Sequence, residues 1–310
     1  MSGKFARQRQ DWGSKLGEWS TGAATLLILA ILAVILGSAL INGIPNVSLR
    51  LLLSSSSSDM FEVSKAGLLP LLVGTVARVF LMTLFVLPVG VITAVYLTEY
   101  ARRTSILTKL IQTAVNNLAG VPSIVFGLFG LGFFIGFIGR NMDYLLGHSE
   151  SEWGKPALLW ASLTLAVMTL PVVIVATEEA LRAIPPGLRE ASLALGATKL
   201  QTIIRVVLPN ALPGILTGAI LAVSRAAGEV APILFTGAAY YMRDMPHALN
   251  DQFMDLAYHT YILSTQSPNI DKTRPLLFAV VLVLLGLTFS LNIVAVLVRS
   301  RVRRKLRSGH

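Results

Sequence analysis

Six long apolar segments constrain the fold of this chain more than any other feature of its sequence. A helix needs about 20 residues to cross the hydrocarbon core of a bilayer, and each segment is long enough to do so. Of the 310 residues, 54% are hydrophobic and 14% are charged, whereas about a quarter of the residues in a soluble domain are charged. We therefore predict an all-α, polytopic membrane protein. The predicted spans are residues 22–42, 70–97, 110–138, 157–177, 210–235 and 276–298.

The distribution of basic residues predicts how these spans are oriented. If the amino terminus is cytoplasmic, most of the 26 Lys and Arg residues fall in segments on the cytoplasmic side, as the positive-inside rule requires. Both termini are therefore predicted to be cytoplasmic. The predicted domains are a cytoplasmic amino-terminal segment (1–21), a transmembrane domain (22–298) that includes a cytoplasmic loop (185–209), and a basic cytoplasmic tail (299–310).

The first span has an alternative explanation as a cleaved signal peptide, because a basic start and an apolar core precede small residues at 37–39. The apolar run from residue 21 to residue 41 is longer than the roughly 7–15 residues of a signal-peptide core, so an uncleaved helix is predicted. The serine run at 54–58 is predicted to be a flexible linker. The outer loop at 237–275 is long enough to carry a short helix.

A row of acidic and histidine residues in that outer loop suggests a possible metal site. A helix starting at Pro246 would place these residues on one face, but the row would span about 18 Å at the helical rise. One ion cannot bind all of them, so no metal is predicted, and a solvated or partner-facing surface is the simpler interpretation. The residues in the row are His247, Asp251, Asp255 and His259.

The segment 187–209 is a polar, amphipathic interruption between the fourth and fifth spans. Pro185 and Pro186 end the preceding helix, because proline cannot continue a helix interior. Apolar residues then recur at helical spacing from Leu188, which predicts a short helix lying across the cytoplasmic surface. Gly196 permits a turn or a close approach. These features alone also fit an ordinary interfacial helix.

The order of residues in this segment resembles the EAA loop of the permease subunits of ABC importers. Glu190-Ala191-Ser192 is followed by Gly196 and by a hydrophobic close at 206–209; Ser192 and Val206 are small departures from the usual alanine and isoleucine. In that family the loop docks in a groove of a separate ATPase. The resemblance implies coupling roles for Arg189, Glu190, Ala191, Ser192, Gly196, Leu208 and Pro209.

Three charged residues within the predicted spans are candidates for a substrate pathway, since charge at membrane depth is expensive. Arg225 and Glu229 are four residues apart, at the end of a helical stripe of small residues that suits close approach or lines a passage. Arg78 lies at a similar depth in the second span and could face Arg225. A guanidinium matches phosphate oxygens as a fork. The alternatives are a packing salt bridge for Arg225 and snorkelling for Arg78. The stripe comprises Ala211, Gly214, Gly218 and Ala222.

Two further segments resemble the PstA family of permeases in phosphate ABC importers. Residues 120–130 resemble the GxPSIxxGLxG signature, and residues 228–236 resemble the GE-x-APL-x-x-T segment, with conservative departures at Val230 and Ile233. Together with the EAA-like loop, the resemblance covers about residues 71–298. It implies the type I ABC importer permease fold and a role as half of a phosphate translocation pathway.

The resemblance also implies partners: a homologous permease (PstC), two copies of the ATPase PstB, the periplasmic phosphate-binding protein PstS, and membrane lipid. The chain itself contains no phosphate-binding loop, nucleophile elbow or HExxH motif, so no enzymatic activity or cofactor is predicted. The net charge of +10 follows mostly from the topology of the spans, so no nucleic-acid partner is predicted. Three alternatives stay open at this point: a permease for sulfate, molybdate or phosphonate, a secondary transporter or channel, and a structural membrane scaffold.

Overall fold

The computed structural model describes residues 12–55, 61, 66–102, 104–148, 150–242 and 244–308. These residues are mostly helical, which confirms the predicted fold class. The helices are α1 (Trp12–Gly43), α2 (Leu49–Leu53), α3 (Leu69–Val95), α4 (Ile106–Ala119), α5 (Ser123–Phe129), α6 (Arg140–Leu146), α7 (Leu158–Arg182), α8 (Pro186–Ala194), α9 (Lys199–Thr202), α10 (Leu208–Gly228), α11 (Ala231–Thr236), α12 (Leu256–Thr265) and α13 (Ile270–Ser308).

Three π-helical segments extend or join these helices. They are Tyr96–Tyr100 after α3, Gly130–Gly139 between α5 and α6, and Ile203–Val207 between α9 and α10. With them, the described part of the chain has six helical runs that are long and apolar enough to cross a membrane, the number predicted. The runs are Trp12–Asn46, Leu69–Tyr100, Ser123–Leu146, Leu158–Arg182, Lys199–Gly228 and Ile270–Arg304.

Helix α7 is at the centre of the bundle. In the most apolar stretch of α7, 67% of the residues are buried, whereas 6% are buried in the corresponding stretches of the first and last spans. Helices α3 and α10 pack closely on α7 because small residues face it: an added Cβ at Gly90 would lie 2.6 Å from Val173, and one at Gly218 would lie 2.7 Å from Ala176. The apolar side chains of the peripheral α1 and α13 are therefore left for lipid.

The predicted limits of the third and fifth spans were wrong. Pro122 has an extended conformation (ψ 140°), which ends α4 and restricts the residue before it; the third span therefore begins at Ser123 and continues to Leu146. The fifth span begins earlier than predicted, at Lys199, and ends at Gly228. Its predicted last residues form the separate helix α11.

The predicted row of outer-loop residues does not lie on one helix. Asp251 accepts hydrogen bonds from the backbone N–H groups of His247 and Ala248, both 2.9 Å, which closes a turn and lowers the pKa of Asp251. Asp255 instead caps the amino end of α12. The short helix predicted for this loop is thus confirmed as α12. Within the described residues, no group of three or more His, Asp or Glu side chains is arranged to hold a metal ion.

The ends of the chain and the serine run are described only in part. Residues 1–11 and 309–310 lie outside the described residues, as do Ser56, Ser57 and Ser58 of the predicted linker. Helix α1 already begins at Trp12, ten residues before the predicted start of the first span. Helix α13 continues to Ser308, so most of the predicted basic tail prolongs the last span.

Candidate functional site

The segment from α8 to α9 is a sharp helical turn at one end of the bundle. Helix α8 begins with Pro186 at its first position and ends at Ala194, and Gly196, two residues later, has a φ of +86°. The Gly196 N–H donates to Leu193 O (3.0 Å) and the Ala197 N–H donates to Ser192 O (3.2 Å), the two bonds of a Schellman motif. Space at the Gly196 Cβ position is open, so glycine is needed there for its backbone conformation and not for a close approach.

The return from this turn is capped and cross-linked. Thr198 and Gln201 form a capping box at the start of α9, and the Ser192 hydroxyl lies 2.9 Å from the Thr202 hydroxyl. Helix α10 then begins at Leu208, with Pro209 in its first turn, where the missing N–H of proline removes no helical bond. Ser192, which stands where the EAA loop usually has alanine, therefore supplies a hydroxyl contact between the two arms of the turn.

The outward surface of α8 carries exposed apolar side chains. Every residue of α8 is at least partly exposed, including Glu190 and Ala191. Leu188 and Leu193 are 43% and 49% exposed, and Leu195, the residue that follows the helix, is 89% exposed. A cluster of exposed leucines at a polar end of the bundle is typical of an interaction surface.

Arg189 points inward from the same helix. Its Nε and Nη2 atoms lie 3.1 and 2.8 Å from Glu99 Oε1. The other donors reach the carbonyl oxygens of Ile184 and Leu181, both at 2.8 Å. Arg189 thus fastens α8 to the end of α7 and to the π-helical end of the second span. The sequence reasoning missed Glu99; its position as the first acidic residue after a long apolar run was the available signal.

At the far end of α10, Arg225 and Glu229 form an ion pair at a break in the helix. The helix ends at Gly228, and Glu229 has an extended backbone (ψ 131°), so the two residues do not share one continuous helix as predicted. Arg225 Nε lies 3.3 Å from Glu229 Oε1, and 48% of the Arg225 side chain is exposed. Several Arg225 donors therefore face open space.

The stripe of small residues that precedes this pair packs against α7. Ala211 and Ala222 are buried, and a Cβ at Gly214 would clash with Ala180 of α7. Of the two roles considered for the stripe, close helix packing is the one the structure displays. The stripe thereby holds α10, which carries Arg225, against α7.

Arg78 lies beside the same helix break but is completely buried. Its guanidinium contacts Asp255 Oδ2 at 2.9 Å and donates to the carbonyl oxygens of Ala226 (2.9 Å) and Ala227 (3.4 Å). Thr75 completes the cluster: its hydroxyl lies 2.7 Å from the Leu71 carbonyl oxygen and 3.0 Å from Asp255 Oδ2, and it accepts the Leu256 N–H at 3.0 Å. Arg78 therefore does not snorkel; it joins α3, the end of α10 and the cap of α12.

The two signature segments predicted from the sequence pack against one another next to this break. A Cβ at Gly127 in α5 would lie 2.9 Å from the Ala231 carbonyl oxygen of α11, and one at Gly130 would lie 2.6 Å from Thr236. The glycines in the first segment thus permit the close approach of the second. Contact with this first segment therefore fixes the position of α11 and of the neighbouring helix break at Glu229.

These features agree with the comparison to known families. Residues 86–304 match the family described as binding-protein-dependent transport system inner membrane components. This chain belongs to that family. It is accordingly an ABC importer permease, a multi-pass inner-membrane transporter subunit and not an enzyme, and the family operates with a partner ATPase and a substrate-binding protein.

The chain is also similar to individual curated relatives. It is 35% identical over 222 residues to the probable ABC transporter permease YqgI of Bacillus subtilis (strain 168), covering 72% of this chain and 69% of the relative. It is 39% identical over 173 residues to the phosphate transport system permease PstA 1 of Mycobacterium tuberculosis (strain CDC 1551 / Oshkosh), covering 56% of this chain and 52% of that relative.

Solved structures support the fold of this permease. A bacterial ABC transporter that imports the acidic polysaccharide alginate has a chain that aligns with a TM-score of 0.63 at 17% identity, covering 94% of this chain and 98% of that one. The methionine transporter MetNI, solved in inward-facing conformations, aligns with a TM-score of 0.53 at 22% identity. At these identities the likeness establishes the shared permease fold alone.

Proposed function

We propose that this permease is the PstA-type subunit of an ATP-driven inorganic phosphate importer and forms half of its translocation pathway. The observation that carries the proposal is the exposed Arg225, whose guanidinium makes one 3.3 Å contact with Glu229 at the break after α10. Such a guanidinium keeps donors available for the oxygens of a phosphate. The phosphate transport permeases among the relatives support this choice of anion.

The proposed pathway residues have distinct roles. Glu229 neutralises Arg225 when no anion is present and yields as a phosphate passes, because the anion offers more acceptor oxygens than one carboxylate. Arg78 was predicted to line the same pathway, and we propose that it lies beside the pathway and supports it. Its donors are already occupied by Asp255 and two carbonyl oxygens, so its contribution is to the shape of the site.

We further propose that α8 receives the force of ATP hydrolysis on the cytoplasmic side. The exposed Glu190 and Ala191, with the neighbouring leucines, form the surface that enters a groove of the ATPase PstB. Gly196, Ser192, Leu208 and Pro209 set the geometry of the turn behind it. In this arrangement both termini are cytoplasmic, and PstS docks on the opposite face of a pair formed with PstC.

Phosphate uptake into ATP-loaded vesicles tests the function directly. The permease is reconstituted with PstC, PstB and PstS, and radiolabelled phosphate is expected to accumulate only with ATP. Competition by unlabelled sulfate, molybdate or phosphonate distinguishes the related oxyanion importers, the alternative to phosphate. Uptake that survives ATP depletion would instead indicate a secondary transporter or channel.

Replacing Gly196 tests the coupling role of the turn. A leucine at φ +86° is strained, by roughly 1–2 kcal/mol, and should misplace α8. We expect Gly196→Leu to insert normally in the membrane but to lose co-purification with the ATPase. Gly196→Asn is the control, since asparagine tolerates this conformation better than other side chains. Co-purification of Gly196→Leu at the wild-type level would contradict the coupling role.

Because the chain has no cysteine, its orientation can be tested with one introduced thiol. Leu195→Cys is expected to react with a membrane-impermeant reagent only from the cytoplasmic side. Labelling from the periplasm would exclude contact between α8 and a cytoplasmic ATPase.

A further inference from the structure

We infer that the ion pair between Arg189 and Glu99 transmits the motion of α8 directly to the second span; the inference rests on the proposed coupling role of α8. Along the chain, α8 is joined to α7 before it and to α9 after it. Glu99, however, belongs to the second span, 90 residues before Arg189. The pair therefore provides a further mechanical connection, which the order of elements does not reveal.

The geometry of the pair favours a fixed link over a surface contact. The Arg189 side chain is 23% exposed and the Glu99 side chain 11% exposed, and two Arg189 nitrogens reach the same carboxylate oxygen. The same guanidinium donates to the carbonyl oxygens of Leu181 and Ile184. A planar group with this many charge-assisted bonds has little freedom to swing. Movement of α8 must therefore displace Glu99 or break several bonds together.

A second contact joins α9, the other arm of the α8–α9 turn, to the same end of the second span. Lys199 Nζ lies 4.9 Å from the centre of the Tyr100 ring, a cation–π distance. Tyr100 follows Glu99 in the π-helical turn, which is closed by the bond from the Ala101 N–H to Tyr96 O (2.8 Å). Each arm of the α8–α9 turn thus holds one residue of the π-helical turn: Arg189 in α8 contacts Glu99, and Lys199 in α9 contacts Tyr100. π-Helical turns are rare and occur frequently at functional sites.

The second span leads from this link to the proposed phosphate site. Arg78 and Glu99 lie on one helical run, separated by 21 residues, or roughly 30 Å at the helical rise. Arg78 in turn holds the Ala226 and Ala227 carbonyl oxygens next to Arg225 and Glu229. The contacts are therefore continuous from the ATPase-facing helix, through Glu99 and α3, to the break in α10. Coupling between distant sites needs a physical connection of this kind or a shared two-state element.

The chain offers a matched control for this link. Glu178 and Arg182 form an ion pair of the same chemistry, 2.7 Å apart, in the neighbouring part of α7. Both residues lie in one helix, and Arg182 is 55% exposed. Breaking that pair removes a similar charge interaction without disconnecting two elements.

The test compares Glu99→Ala, Glu99→Gln and Glu178→Ala in the complete four-subunit complex. We expect Glu99→Ala to transport about tenfold less phosphate per ATP hydrolysed, because charged hydrogen bonds of this kind are lost. Glu99→Gln should lose less, since its amide oxygen still accepts, and Glu178→Ala should match the wild type. A wild-type transport ratio in Glu99→Ala, or an equal loss in Glu178→Ala, would overturn the inference.

A distance measurement tests the link without depending on phosphate. Spin labels at Ala194→Cys in α8 and Val89→Cys in α3 report whether the two helices move together between nucleotide-free and ATP-bound complexes. We expect a constant distance with Glu99 present and a nucleotide-dependent change with Glu99→Ala. The same constant distance in both would overturn the inference, whereas absent phosphate uptake by the wild type would contradict only the proposed substrate.

A conservative substitution, Arg189→Lys, provides a second test of the ion pair in case Glu99→Ala prevents assembly of the complex. If Glu99→Ala fails to assemble, Arg189→Lys retains the charge but not the fork that reaches Glu99 and both carbonyl oxygens. An intermediate loss of the transport ratio is then expected, and an unchanged ratio would contradict the proposed link.

Discussion

Two arginines lie beside the same break in the fifth span, and their surroundings are opposite. Arg78 is completely buried and donates to Asp255 and to two backbone carbonyl oxygens. Arg225 is 48% exposed and, within the described part of the chain, contacts Glu229 at 3.3 Å. A buried guanidinium that donates to fixed acceptors stabilises the packing of the elements around it. An exposed guanidinium can exchange one hydrogen-bond partner for another. The two residues are of the same type and lie beside the same helix break, so burial and partners distinguish their roles.

The largest effect on stability is expected when Arg78 is removed. Arg78→Met leaves Asp255 charged and unpaired in the interior, which should lower the free energy of unfolding by about 3–5 kcal/mol. Unfolding in detergent, followed by circular dichroism, measures the change. The same substitution at exposed Arg225 should stay within about 0.5 kcal/mol of the wild type.

A second variant identifies the cause of that loss. Arg78→Met combined with Asp255→Asn removes the unpaired charge and should recover part of the stability. If Arg78→Met and Arg225→Met destabilise the protein equally, the contrast between a structural and an exchanging arginine is wrong.

The next largest effect is expected on transport when Arg225 is neutralised. Arg225→Gln removes the charged donors proposed to hold phosphate, and uptake in the four-subunit vesicles should fall about a hundredfold. Arg225→Lys keeps the charge but loses the fork and should fall less. Normal uptake by a normally assembled Arg225→Gln complex would reject the pathway role.

Much of this fold could be predicted from the sequence, because span length and charge distribution are local properties. The six spans, the short outer-loop helix and the amphipathic α8 follow from hydrophobic periodicity and proline positions. The partners of the charged residues do not. Asp255 lies 177 residues from Arg78, and the spacing of its neighbours indicated a helical face that the Asp251 turn and the Asp255 cap prevent.

The same limit applies to the ends of the helices near the site. The sequence places Glu229 four residues after Arg225, which suggests one helical face. The guanidinium of Arg78 instead takes the last carbonyl oxygens of α10, and the backbone turns extended at Glu229. Glu99 was missed for a similar reason, since only the folded chain brings it to Arg189. Long-range pairing decides these positions, and periodicity contains no information about it.

A smaller effect is expected from a hydroxyl in the Arg78 cluster. Thr75→Val removes the donor to Asp255 and the acceptor of the Leu256 N–H, and should cost about 1–3 kcal/mol of unfolding free energy. Thr83→Val in the same helix is the matched control, because its hydroxyl donates to Val79 O one turn before it. Equal melting temperatures for the two variants would show that the cluster is less tightly coupled than its distances indicate.

Only a small effect on stability is expected at Glu229, the ion-pair partner of Arg225. Its partner is half exposed, and such pairs contribute about 0–1 kcal/mol, so Glu229→Gln should unfold almost as the wild type does. Transport should change instead: without the competing carboxylate, Arg225 holds phosphate longer, so half-maximal uptake requires less phosphate and the maximal rate falls. Uptake assays over a range of phosphate concentrations measure both quantities. A Glu229→Gln complex that loses stability and keeps its transport kinetics would assign the Arg225 pair to packing, the role that Arg78 has.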